Sequence, residues 1–126
     1  MHDPTNINPA GTNMLTACQA RSQLDRGDIT SEKLVLDCLN RIKDRDADIE
    51  AWVYLDPELA LEQAKTRDRE QPKGLLHGIP VGIKDIYDTY DMPTSYGTNI
   101  HKNHRPDSDS TWVKSLREAG AVILGK

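Results

Sequence analysis

The sequence predicts an α/β fold in which helices lead into a sheet that further helices cover. Three observations support this. Residues 30–48 carry one apolar stripe at helical spacing, residues 79–124 run strand, loop, helix, strand, and 126 residues suffice for one domain with one core. The helix expected near 109–119 gives the long crossover that parallel neighbouring strands require.

In chain order, the opening MHDPTNINPA is polar with two prolines and reads as an arm that frays or packs at the edge. It lacks the charged-then-apolar order of a secretory signal. Residues 14–26 suit a short helix that Gly27 stops. The clearest helix lies in DITSEKLVLDCLNRIKDRD, where Thr30 or Ser31 can cap and Glu32 favours the positive end of the dipole. Leu34, Val35, Cys38, Leu39 and Ile42 share one face, which marks core rather than a cofactor site. AWVYL, residues 51–55, reads as a short strand because its side chains favour β structure. Asp56 then caps a helix that Pro57 opens, running to about residue 68 with Ala60, Leu61 and Ala64 inward. REQPKG is a turn.

Beyond it, a strand is expected through Ile79 to Ile83, then a long loop from residue 88 to about 108. A helix over 109–119 follows, capped by Asp107 or Asp109 and ended by Gly120, and AVIL forms a buried strand. The chain therefore divides into a mainly helical lead-in, 1–72, and a strand–loop–helix–strand unit, 73–126, as layers of one domain. An apolar strand with no turn or partner after it is a poor place for a domain to finish, so a truncated protein or partial reading frame is expected.

Sixteen basic and twenty acidic side chains give a net charge of −4, spread along the chain without the basic footprint of a nucleic-acid binder. No apolar run approaches the ~18 residues of a membrane span. A soluble, cytoplasmic protein is expected. Cys18 and Cys38 fall inside helical patterns without CxxC spacing and read as two reduced thiols.

Lys84 is the residue that stands out. It ends LLHGIPVGIK, an apolar, glycine-punctuated run that looks built for burial, although lysine is rarely fully buried. Ligands of α/β sheets bind beyond the carboxyl ends of strands, and burial there disfavours the charged amine and allows it to act as a base. The alternative is an ion pair with Asp85, and the pattern alone leaves both open. Other candidates are weaker. GAVILGK, 120–126, matches the spacing of a phosphate loop, but its first glycine follows a helix and AVIL needs its amides in a sheet. His101 and His104 lie in a polar loop, where a solvated role is favoured over metal ligation. His77 is expected to hydrogen-bond locally. Ser95, Ser108, Ser110 and Ser115 carry hydroxyls, but none sits on a glycine-flanked sharp turn, and Ser108 and Ser110 flank a helix start.

GIPVGIKD, DMPTSYGT and LREAGAVILGK, in one stretch from Gly74 to Lys126, closely resemble the amidase signature family of hydrolases. The likeness extends more loosely back through ITSEKLVLDCLNRI and AWVYLDPELALEQA. It implies an α/β fold with a mixed central sheet, and amide hydrolysis by a Ser–Ser–Lys triad in which one serine follows a cis peptide bond. The lysine of GIKD is the base of that triad, which maps onto Lys84. The two serines and the oxyanion amides belong to a glycine/serine-rich stretch for which these residues hold no counterpart, so this chain alone is expected to be inactive. No cofactor and no metal are implied. The implied partner is a small-molecule amide, without nucleic acid or membrane, and a homo-oligomer is left open. The runner-up is the glutamine-hydrolysing component of a glutamyl-tRNA(Gln)/aspartyl-tRNA(Asn) amidotransferase, which works together with the other amidotransferase subunits. A third reading is a non-catalytic orphan module that only inherits the motif.

Overall fold

A computed structural model describes residues 11–126, and the expected arm over the first ten residues lies outside that range. A 3-10 turn at Thr12–Met14 leads into α1 (Ala17–Arg26), α2 (Ser31–Ile49) and α3 (Pro57–Arg69). Then come β1 (Pro80–Gly82), a loop holding a second 3-10 turn at Asn99–His101, α4 (Thr111–Glu118) and β2 (Val122–Gly125). No helix among the described residues is long and apolar enough to cross a membrane.

The helix starts follow from the orphan amides that each one must satisfy. Thr16 and Gln19 form a reciprocal capping box on α1, which Gly27 ends at φ 73°. On α2, Thr30 Oγ1 accepts from Lys33 N at 3.1 Å. Asp68 reaches across from α3 to accept from Ser31 N at 2.7 Å and Glu32 N at 3.0 Å. The first three amides of α2 are therefore all paired, two of them by another helix. Asp56 caps α3 as expected, accepting from Leu59 N at 3.0 Å. On α4 the cap is Ser110 rather than Asp107 or Asp109. Asp109 is engaged elsewhere: it accepts from Arg117 Nε at 2.8 Å and from Tyr90 N at 3.1 Å.

β1 and β2 pair in parallel, with Pro80 opposite Val122, Val81 opposite Ile123 and Gly82 opposite Gly125, and the register slips between Val81 and Gly82. β2 is buried on both faces, as a strand between two layers must be. Val122 and Leu124 pack on Val35 and Leu39 of α2 and on Ala60 and Ala64 of α3. On the opposite face Ile123 packs with Ile83, Met92 and Val113. A third cluster of Ala20, Leu34 and Ile79 ties α1 to the entry of β1. Trp52 lies so close over Gly82 that a Cβ there would meet its ring at 2.8 Å.

AWVYL does not form the expected strand. Only Leu55 makes an isolated antiparallel bridge, to Gly125. Gln63 of α3 already occupies the neighbouring edge of β2. Its side-chain amide donates to Ile123 O and accepts from Ile123 N, both at 3.1 Å. One glutamine thus satisfies backbone groups that a strand would otherwise pair.

Two glycines with positive φ give a clean steric test. Gly27 at φ 73° has nothing within 4 Å of a would-be Cβ, while Gly120 at φ 90° would place one 2.6 Å from His77 Cα. Gly27→Ala should cost about 1 kcal/mol, the penalty of the left-handed conformation alone. Gly120→Ala should cost roughly 1–3 kcal/mol more, because backbone must shift. Urea unfolding midpoints measure both; equal losses would refute the close approach at His77.

Candidate active site

Both strands run in the same direction, so their carboxyl ends open at one end of the sheet. Lys84 stands just beyond β1, and Lys126 just beyond β2. Ile83 N donates to Gly125 O at 3.0 Å, joining the two strand ends directly before these lysines.

Lys84 is exposed, and among the described residues its amine makes no hydrogen bond or ion pair. The expected enclosure is therefore corrected for these 126 residues. Side chains alternate along an extended segment. Ile79 and Ile83 are buried and Val81 packs in the core, which leaves Pro80, Gly82 and Lys84 in the opposite set. Nor does Lys84 pair with Asp85. That carboxylate turns to Ser95, accepting from its amide at 2.9 Å and from its hydroxyl in a shorter bond.

The enclosed lysine is Lys126, only 4 % exposed. Its Nζ donates to Tyr87 O at 3.0 Å, Pro93 O at 3.3 Å and Thr94 Oγ1 at 2.6 Å. Asp85 Oδ1 lies 3.9 Å away. Burial pushes the Lys126 pKa below the usual lysine value, against the pull of Asp85, Asp88, Asp91 and Asp109. Sequence reasoning missed this residue because its position suggested only a failed phosphate loop. The signal was nonetheless present: a lysine following VILG extends a strand buried on both faces.

Beside these groups opens a cleft of about 710 Å³, lined by Tyr54, Asp85, Ser95 and Asn99, with Lys102 and Arg105 also on its wall. The loop that forms it is held from the far side. Arg117 of α4 binds Asp91 and Asp109, each at 2.8 Å, and lies 5.0 Å over the Tyr90 ring. On the rim, Tyr96 donates to Asp88, whose hydrogen bond pushes the phenol pKa up.

Tyr96, His101 and His104 cluster, with centroids 5.6 Å apart for Tyr96–His101 and 6.1 Å for Tyr96–His104. No group of three or more His, Cys, Asp or Glu among the described residues could hold a metal ion. His77 is buried and bonded locally, as expected, with Nδ1 accepting from Lys73 N at 3.2 Å and Nε2 against Arg67 O at 2.8 Å. Ser110 caps α4, Ser115 donates to Thr111 O at 3.0 Å, and Ser95 is bound by Asp85. No serine among the described residues is bonded to Lys84. Cys18 and Cys38 are both free thiols, and burial pushes the Cys38 pKa up.

Comparison with known proteins places this geometry in a larger context. The family profile described as Amidase matches residues 33–126. A glutamyl-tRNA(Gln) amidotransferase subunit of Cereibacter sphaeroides (strain ATCC 17025 / ATH 2.4.3) is 40% identical over 116 residues, covering 90% of this chain and 23% of that protein. The native peptide amidase of Stenotrophomonas maltophilia superposes with a TM-score of 0.86 at 34% identity, over 94% of this chain and 25% of that one. An amidase family protein of Bacillus anthracis str. Ames gives 0.81 at 35% identity, over 90% and 24%. The chain thus spans about a quarter of the length of the relatives it matches.

The buried ammonium has a measurable consequence. The folded-state pKa of Lys126 is lowered, so between that value and 10.5 the unfolded chain binds the proton more tightly. Stability linked to this group therefore rises with pH across that window. The unfolding free energy of the wild type, minus that of Lys126→Met, should increase as pH is raised through the alkaline range toward 10.5. A flat difference in urea titrations would show that the amine is not desolvated.

Proposed function

The chain belongs to the amidase signature family, and on that premise we propose that it contributes Lys84 as the base of an amide hydrolase, within the amino-terminal portion of a single catalytic domain. The observation that carries this reading is the placement of Lys84 at the carboxyl end of β1, with its neighbouring carboxylate committed to Ser95. An amine held in an ion pair could not readily take a proton. Asp85 is turned away, leaving the Lys84 amine able to meet a hydroxyl brought to it.

The family chemistry then runs through known steps. The neutral amine draws a proton through a bridging serine, and the second serine attacks the amide carbonyl. Backbone amides steady the oxyanion. The proton passes to the departing ammonia or amine as the C–N bond breaks, and water releases the acyl group. Both serines would come from sequence without a counterpart in these 126 residues. In that state Lys84 would be covered, and the 710 Å³ cleft lined by its neighbour Asp85 narrowed.

The second reading is that the chain is part of the glutamine-hydrolysing component of a tRNA-dependent amidotransferase, favoured by the 40% identity to the Cereibacter protein. Glutamine-dependent ammonia release together with copurifying partner subunits would select it over a stand-alone amidase.

The test is a chimera in which this chain replaces the matching quarter of the Stenotrophomonas peptide amidase. Amide hydrolysis should be restored, and Lys84→Ala should lower kcat by roughly 10²-fold or more, the scale of a lost general base. An equally active Lys84→Ala chimera would remove Lys84 from the chemistry. The 126-residue chain alone should release no ammonia from simple amides; turnover abolished by Lys84→Ala would reveal a nucleophile within it.

A further inference from the structure

The two lysines at the strand ends are treated in opposite ways. One is left in solvent, and the other is sealed behind the loop that follows the first. We propose that Lys126 is a positioning residue for Lys84: its ammonium fastens both limbs of the 84–95 loop to the end of β2, and so fixes the turn that presents the base. This rests on reading Lys84 as that base.

The geometry is specific. An ammonium has three protons, and Lys126 directs them at three acceptors, the carbonyls of Tyr87 and Pro93 and the hydroxyl of Thr94. Tyr87 lies on the outgoing limb, while Pro93 and Thr94 lie on the returning one. Asp85 bridges the same two limbs from the other side, through the amide and hydroxyl of Ser95. It also stands 3.9 Å from the Lys126 amine, close enough to offset part of its charge. Lys84 is tied into this staple by its own carbonyl, which accepts from Ile86 N at 2.8 Å and from Tyr87 N at 3.1 Å. The residue whose carbonyl Lys126 grips is thus the one whose amide grips Lys84.

Stability alone does not account for a buried cation here. Replacing a buried ion pair, both members together, by well-packed apolar side chains is often neutral or stabilising, so a buried charge is weak evidence of a stabilising role. Three directed donors offer something an apolar side chain cannot. They define where two loop limbs lie relative to a strand end, and hence where the next amine emerges.

The experiment is residue-resolved amide hydrogen exchange on the 126-residue chain, comparing wild type, Lys126→Met and Lys126→Arg. In Lys126→Met the amides of Ile86, Tyr87 and Ser95 should exchange roughly tenfold faster or more, reflecting lost hydrogen bonds. The α2 amides of Val35 and Leu39 should be unchanged. Lys126→Arg, which keeps the cation, should restore protection at those three amides. A uniform change across loop and helix would reduce Lys126 to a structural residue and overturn the proposal, as would no change at all. Local loss in both variants would assign the effect to shape rather than to the cation, and overturns it equally. If Lys126→Met does not fold, Thr94→Val removes one of the three acceptors and is read in the same way. The measurement needs no turnover, so it fails independently of Lys84→Ala in the chimera. Loss of the base assignment leaves the staple standing, and loss of the staple leaves the base assignment untouched.

Discussion

Burial of β2 on both faces is the constraint on which the rest depends. Four residues, Val122–Gly125, receive α2 and α3 on one side and α4 with Met92 on the other. Their own backbone must still be satisfied, because no water reaches it. β1 serves one edge. The other is shared between Gln63 and the Tyr54–Leu55 segment. The positions of both lysines follow from this, since parallel pairing sends the two strand ends out at the same place.

Much of the fold could be read from local chemistry. Thr30, Asp56 and Gly27 mark helix ends because orphan amides and the left-handed conformation select those residue types. The stripe from Leu34 to Ile42 faces the core because its spacing matches a helix. Where sequence reasoning erred, a long-range partner had taken the residue in question. Asp109 looked like a cap until Arg117 and Tyr90 claimed it. AWVYL looked like a strand, but Gln63, distant in sequence from β2, takes the edge at Ile123 and leaves residues 53–55 only Gly125 and Lys126 to pair with. Such competition has no local signature.

The site shows the same limits. Lys84 was identifiable as a residue of interest, but its surroundings were expected to enclose it. The alternation of Ile79, Val81 and Ile83 already assigned it to the other set of side chains, and that period was outweighed by the apolar character of the run. Lys126 went unrecognised for a different reason. Its three acceptors come from Tyr87, Pro93 and Thr94, more than thirty positions away, and two of them are backbone carbonyls that any residue would supply. A cavity of acceptors leaves no trace in residue types.

The stacking of Trp52 on Gly82 has an optical consequence. The chain has two tryptophans, and Trp112 is 59% exposed on α4. The half-buried indole of Trp52 lies over Gly82, two residues before Lys84, at the outlet of β1. Its emission colour and quenching are therefore an intrinsic gauge of whatever comes to cover that outlet, read against a steady red-shifted background from Trp112.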